Sequence, residues 1–361
     1  MRVLVVGTLI DRVERGLFEG LCEKGFALEL VCAEQSPNLE ALRARNVPIA
    51  YQTMRSKFDR QAIRFLREKL AAERFDVVYA LTARALTTVL WATRGTTQRV
   101  VTYRGTVGHL SRLDPTSYLG FLNPRIERII CVSQAVERYL LSKGVAANRL
   151  VTIYKGHDPV WYSGGESVDL SQFGIPPGAP VVGCTANMRP VKGVDILVRA
   201  FGLLKGSNPA HLLLIGEVRD KRLSRLVESL GIGDRVHFTG YRADAPQIVR
   251  SCQVFVMPSR AREGLPKAVI EAMSQGVPPI VTAVGGMPEL VADGLSGLVV
   301  PPSDVRALAE AIERLVRDDE FRTRLGAGAS ARIKGEFSIA RTIEATARVL
   351  QGLAPGSAGA P

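Results

Sequence analysis

Short apolar runs of strand length alternate with amphipathic helical stretches along nearly the whole chain. This rhythm confines it to helices layered on parallel sheet. The first series opens with RVLVVG at 2–7, passes through the helical ERGLFEGLCEKG and returns to ALELVCAE. Its later strand-like runs are DVVYAL (76–81), RVVTYRG (99–105), RIICVS (128–133) and RLVTIYKG (149–156). A second series starts at PVVGCTANM and continues through HLLLIGE, RVHFTGY, CQVFVMPS and PPIVTA. Two successive series predict an α/β chain of two doubly wound domains, and 361 residues is a two-domain length. The segment 157–180 between them is rich in Gly, Pro and Ser and is predicted to be a linker. No repeat of fixed period is visible. The end of the chain, LAPGSAGAP, is low in complexity and predicted to fray.

Charge narrows the class of partner. The chain carries a net +12, unevenly spread: residues 1–160 hold 24 Lys/Arg against 15 Asp/Glu, a net +9, and the remainder 23 against 20, a net +3. The first half is therefore the side to meet an anionic partner. Neither zinc-finger spacing nor an RNA-binding aromatic signature accompanies the charge, so no nucleic acid is expected. An anionic membrane surface or a phosphorylated lipid fits it. The segment 56–75 is an amphipathic helix candidate, with Ile63, Leu66 and Leu70 in an apolar stripe beside Lys57, Arg60, Arg64, Arg67 and Lys69. Such a helix lies on anionic lipid or forms a solvated outer layer on the sheet, and the sequence leaves both open. No apolar run approaches the ~18–20 residues of a membrane span. Met1 leads straight into a strand, without a signal-peptide layout. The five cysteines form no CxxC pair. Reduced, buried thiols are expected, in a cytoplasmic protein with at most peripheral membrane contact.

The densest cluster of chemically useful residues is EGLPKAVIE at 263–271. The strand-like VFVM ends at Pro258 and Ser259, a Gly264-Leu265-Pro266 turn follows, and a helical pattern begins with Pro266 at its first position. Glu263 lies in the turn and Glu271 about one and a half turns inside the helix. Both can face one crevice at different depths. Main-chain N–H groups around Leu265 to Lys267 are free at the helix start, which makes an anion site. A phosphate there would have a hydroxyl-binding carboxylate on either side, matching the ribose, diphosphate and hexose of a nucleotide sugar. An isolated turn Glu and an unrelated helical Glu would give the same spacing. Upstream, TANMRPVKGVDILVRAF at 185–201 runs from strand to helix with Arg189 and Lys192 in the loop. Fixed cations of this kind stabilise a departing diphosphate. In the first half, VTYRGTVGHLSRLDPTSYLGFLNPR at 101–125 follows a strand. It thus lies at the carboxyl end of the sheet, where open α/β sheets bind ligands, and Arg104 and Arg112 are candidate phosphate ligands there.

The stretch 254–302 resembles the retaining glycosyltransferases of the GT-B fold, family GT4. Glu263 and Glu271 match that family's E-x7-E motif, and VGGMPELV and DGLSGLVVPPSD resemble its later segments. The resemblance covers 180–330 well and the first half more weakly. It implies a GT-B fold of two facing Rossmann-like doubly wound domains with an inter-domain cleft. The boundaries are then 1–160 for an acceptor domain and 161–335 for a donor domain, with a helix at 336–353 returning to the first domain and a flexible tail at 354–361. That helix would pack through Ile339, Ile343, Ala347 and Leu350.

By the same resemblance Glu271 holds the ribose, Glu263 the transferred sugar, and Gly264, Leu265 and Pro266 shape the turn beside the β-phosphate. Lys192 matches the family lysine. Asn187 stands where its arginine falls, with Arg189 two places late as a substitute. Gly16 matches half of a paired glycine, beginning or preceding a helix near donor and acceptor. Arg104 takes the place of the family's donor-site histidine, and His109, five residues on, is the other candidate. Tyr241 lies nearest the nucleotide base. Gly285 and Gly286 let backbone approach the donor, and Glu289 reads as a site acid or a helix-start acid. Lys155 replaces the asparagine of an Asn-Gly-Val-Asp turn that keeps Asp158.

There is no phosphate loop, no strand-led G-x-G-x-x-G and no H-E-x-x-H. No D-x-D pair of aspartates is present to hold a divalent metal. With two cations and a helix start for the diphosphate, no metal or other cofactor is expected. The implied function is a retaining hexosyltransferase that uses an NDP-sugar and a glycan or glycolipid acceptor, lipopolysaccharide core included. A sugar phosphorylase of the same fold and a catalytically silent sugar-nucleotide-binding module are the alternatives.

Overall fold

A computed structural model of the chain describes residues 1–164, 167–204 and 210–353. The predicted tail at 354–361 lies outside them. The chain divides into two units, Met1–Gly156 with Ile339–Pro361, and His157–Ser338.

The strands of the first unit are β1 (Arg2–Val6), β2 (Ala27–Cys32), β3 (Ile49–Tyr51), β4 (Val77–Ala80), β5 (Arg99–Arg104), β6 (Ile126–Cys131) and β7 (Leu150–Thr152). They form one parallel sheet in the order β3-β2-β1-β4-β5-β6-β7. In β1, Val3 to Val6 are all buried, as a parallel strand covered on both faces requires. The order reverses between β1 and β4, which opens a crevice at their carboxyl ends. The helix Arg12–Glu23 begins there. Asp11 accepts the Glu14 N–H and Glu14 accepts the Asp11 N–H, a capping box.

The helix Ile339–Gln351 belongs to this unit and packs on Arg12–Glu23. Ala347 and Leu350 are buried in its core, and Ile339 and Ile343 pack against it. Thr342 adds a contact the apolar stripe did not reveal. Its Oγ1 accepts the Gly156 N–H at 2.8 Å and donates to the Tyr154 carbonyl at 2.8 Å.

The candidate amphipathic helix runs from Arg60 to Ala72 and packs on the helix Ala83–Ala92, with Leu66 buried. Lys69 pairs with Glu29 and Glu73, Arg64 with Glu68 at 2.8 Å, and Arg67 donates to the Trp91 carbonyl. Leu66 thus faces the protein interior with Ile63 and Leu70 half-buried, and of the five flanking cations Arg64 and Lys69 are ion-paired.

The second unit holds β8 (Val181–Thr185), β9 (His211–Ile215), β10 (Val236–Gly240), β11 (Val254–Met257), β12 (Pro279–Thr282) and β13 (Leu298–Val300), parallel and in the order β10-β9-β8-β11-β12-β13. Its reversal falls between β8 and β11. The Gly/Pro/Ser-rich segment from 157 belongs to this unit and is folded onto it. His157 Nδ1 and the buried Tyr162 hydroxyl lie 2.6 Å apart, and Ser251 Oγ donates to the Val168 carbonyl. The division falls after Gly156, four residues before the predicted 160, because His157 donates its N–H to the Phe337 carbonyl of the second unit.

Cys32, Cys131, Cys184 and Cys252 are buried thiols, and Cys22 is half-buried. Burial pushes Cys131, Cys184 and Cys252 up to about 12. Among the described residues no helix is long and apolar enough to cross a membrane.

His211 Nδ1 and His237 Nε2 lie 2.9 Å apart with the rings stacked, so they share one hydrogen and cannot both be protonated in place. Burial pulls His211 below its ordinary 6.5, helped by His237 and Arg235 against Asp234. Burial also lowers His237, against the Phe173 main chain and Asp234. A depressed histidine stabilises above its unfolded pKa and loses that contribution as pH falls. The melting temperature is expected to drop between pH 7 and 5, and His237→Gln to flatten that drop, as a series of thermal melts would show.

Candidate active site

The loop after β8 and the turn after β11 meet at the reversal point of the second sheet. Glu263 is 7% exposed. Its Oε1 accepts from Lys192 Nζ at 2.7 Å and from Ser259 Oγ at 2.6 Å. A buried carboxylate needs such partners to remain charged. Ser259 is itself fixed, because Thr282 Oγ1 at the end of β12 donates to its carbonyl. Two predicted residues, 71 positions apart in sequence, are thus one ion pair set in a frame of two hydroxyls.

Two tight backbone contacts fix the pair. A methyl group on Gly193 (φ +65°) would lie 2.1 Å from the Pro258 carbonyl oxygen, and one on Gly285 (φ +57°) would lie 1.8 Å from that of Glu263. These glycines let the Lys192 loop and the Val284–Gly286 turn close on the segment that carries Glu263.

Pro266 is the N-cap of the helix Lys267–Ser274, one place before its predicted position, and its carbonyl accepts from Val269. Gly264 and Pro266 are buried and Leu265 is half-buried. The helix start leaves main-chain N–H groups without intrahelical partners. Glu271 lies within the helix, its side chain 13% exposed and 3.5 Å from Lys267 Nζ.

Arg189 is exposed at the start of the turn Pro190–Lys192 and donates to Asn187 Oδ1 at 3.3 Å. Arg260, which the sequence did not single out, holds this loop. Its N–H donates to Val191, its Nη1 to the Pro190 carbonyl, and its Nη2 pairs with Asp195 at 2.6 Å. Arg260→Ala is expected to free the loop that carries Arg189 and Lys192, seen as faster amide hydrogen exchange across 187–193, with a thermal melt to separate this from global unfolding. Thr185, at the end of β8, is a second residue missed, its Oγ1 buried and without a hydrogen-bond partner among the described residues. Tyr241 follows β10 and is 81% exposed. Glu289 sits in the first turn of the short helix Met287–Leu290.

The remaining predicted residues belong to the first unit. Gly16 neither begins nor precedes a helix: it is buried inside Arg12–Glu23, because the Asp11–Glu14 capping box starts the helix earlier. Arg104, at the end of β5, is buried over the Phe121 ring at 4.3 Å. It donates to the Thr106 carbonyl at 3.0 Å and to that of Gly108 at 2.6 Å, shaping the loop that follows. His109 is exposed in that loop at φ +66°. Lys155 pairs with Asp11 at 2.8 Å and Glu14 at 3.5 Å, beneath the capping box. Burial pulls its pKa down, but Glu14, Tyr103 and Asp11 outweigh that and hold it above the ordinary lysine range.

A sequence model of the glycosyl transferases group 1 matches residues 167–332, and one of glycosyltransferase family 4 matches residues 11–161. The chain is 33% identical over 173 residues to the lipopolysaccharide core biosynthesis glycosyltransferase LpsE of Rhizobium meliloti, covering 48% of this chain and 50% of that one. Over 353 residues it is 29% identical to the D-inositol 3-phosphate glycosyltransferase of Mycolicibacterium smegmatis, covering 94% and 75%. The chain spans about half the length of the first curated relatives it matches. Among solved structures, Anabaena HepE in complex with UDP superposes at a TM-score of 0.79 with 22% identity, covering 98% of this chain and 100% of that one. A glycosyltransferase from Rickettsia africae superposes at 0.82 with 17% identity, covering 98% of each. At these identities the likeness to the solved structures shows the fold.

Proposed function

Because the chain belongs to the GT-B glycosyltransferases of family 4, we propose that it moves a hexose-type sugar from a nucleoside diphosphate sugar to a glycan or glycolipid hydroxyl. In this reading the anomeric configuration is retained and no metal takes part. The observation that carries the reading is the ion pair of half-buried Lys192 with buried Glu263 beside a helix start. A diphosphate arriving at the free N–H groups meets Lys192, whose ammonium turns from Glu263 toward the developing phosphate charge. Glu263 is then released to accept hydrogen bonds from the transferred sugar. Glu271 accepts them from the ribose, and Arg189 adds a second cation.

The acceptor oxygen bonds to the anomeric carbon on the face the phosphate leaves. The acceptor proton passes to a phosphate oxygen, so no separate general base is needed. The names of the relatives support a lipid-linked or polyol acceptor, lipopolysaccharide core among them. The UDP and UDP-glucose bound in HepE support a nucleotide-sugar donor.

The test is slow NDP release from a panel of UDP- and GDP-sugars without acceptor, with and without EDTA. Hydrolysis of one donor at a rate EDTA leaves unchanged is the expected result. Release from none of them, or release abolished by EDTA, counts against it. Sugar 1-phosphate formed from a glycan and orthophosphate would favour the phosphorylase.

A further inference from the structure

Glu263 receives its donors unevenly. Lys192 Nζ at 2.7 Å and Ser259 Oγ at 2.6 Å both end on Oε1, and among the described residues no donor reaches Oε2. One carboxylate oxygen is thus committed to the protein and the other is left for a ligand.

The two donors differ in how they are held. The Lys192 ammonium rides on a half-buried, flexible four-carbon stem. Ser259 is fully buried, and its hydroxyl hangs on main chain fixed from three sides. Thr282 Oγ1 at the end of β12 donates to the Ser259 carbonyl. The N–H of Arg260, next in the chain, donates to the Val191 carbonyl at 2.9 Å. The Pro258 carbonyl, just before, lies so close to Gly193 that a methyl group there has no room. A serine hydroxyl has one hydrogen to give, and Ser259 gives it to Glu263.

We propose that Ser259 is the positioning residue of Glu263 in sugar transfer. It keeps Oε1 in place when Lys192 swings to the diphosphate, so that Oε2 stays aimed at a hydroxyl of the transferred sugar. This role rests on the nucleotide-sugar reading of the site. Without Ser259 the buried carboxylate would have no second protein donor at the moment the lysine leaves. It would follow the lysine, its one remaining partner, and turn away from the sugar. Thr282 stands one step further out and acts on Glu263 through the Ser259 main chain.

The test compares Ser259→Ala and Thr282→Val with the parent, on the UDP- or GDP-sugar of the panel that the parent hydrolyses. Ser259→Ala is expected to lower kcat about ten- to hundredfold with little change in KM, and to bind UDP or GDP alone as the parent does. Thr282→Val is expected to move kcat in the same direction by less. Ser274→Ala is the control, because it removes another buried hydroxyl of this unit, one that donates to the Ile270 carbonyl at 2.7 Å. It is expected to lower the melting temperature and leave kcat unchanged. An unchanged kcat in Ser259→Ala overturns the role. So does a loss of kcat matched by an equal loss of nucleotide affinity, because the serine would then support the lysine loop and not the carboxylate. A parent that hydrolyses none of the panel fells the functional reading and this role with it, a result distinct from the other two.

Discussion

In the proposed reaction Lys192→Ala is expected to lower donor turnover by about 10²–10³-fold, the loss that follows when a preorganised cation is removed from a developing phosphate charge. The substitution also strips Glu263 of its cation and leaves it the Ser259 hydroxyl as a donor. Part of the loss is therefore structural, and the size of that part is measurable. Leaving a buried carboxylate unpaired costs about 3–5 kcal/mol, so the melting temperature should fall in Lys192→Ala. In Lys192→Ala with Glu263→Gln the orphaned charge is gone and stability should return while turnover stays low. Recovery of turnover along with stability would show that the lysine serves the fold and not the reaction. Steady-state kinetics and thermal melts of the two variants decide it.

Gly285→Ala is expected to be the most damaging single methyl group in the second unit. It must adopt φ +57°, and its Cβ would lie 1.8 Å from the Glu263 carbonyl oxygen. The left-handed backbone alone costs about 1–2 kcal/mol for a residue with a Cβ. The clash adds about 1–3 kcal/mol more, because main chain has to move. The displaced atom belongs to Glu263, so donor turnover should fall with stability. Gly294→Ala is the matched control: its φ is +70° and nothing lies within 4 Å of the added methyl. It is expected to lose the backbone cost alone and to keep turnover. Equal behaviour of the two in urea unfolding and donor hydrolysis would contradict the contact.

The interior of both sheets was legible because each inner strand is a short apolar run closed by turn residues. β3 and β13, three-residue edge strands, were missed because Pro48 precedes the one and Gly297 and Pro301 bracket the other, whereas β7, of the same length and also at an edge, lies in the longer run 150–154. The linker reading of 157–180 failed on composition: Gly, Pro and Ser mark irregular backbone, and irregular backbone can still be packed.

Glu263, Lys192 and Glu271 were singled out because their types and spacing carry chemistry, and the structure brings the first two together as an ion pair. Arg260, Ser259 and Thr282 act through contacts across 65, 4 and 23 positions, which no local pattern announces. Gly16 was misplaced although a signal existed. Asp11 and Glu14 have the spacing of a capping box, and reading it would have started the helix at Arg12. Arg104 was read by charge alone, whereas burial and two carbonyls give it a loop to hold.

The central claim is that the nucleoside diphosphate lodges where the loop 187–193 meets the turn and helix 263–271. Amide hydrogen exchange, with UDP or GDP added at saturation, tests this most directly. Slowed exchange in those two segments is the predicted result, weakened in the Glu271→Ala variant. Protection confined to residues 1–156, with both segments exchanging as in the free protein, would contradict it.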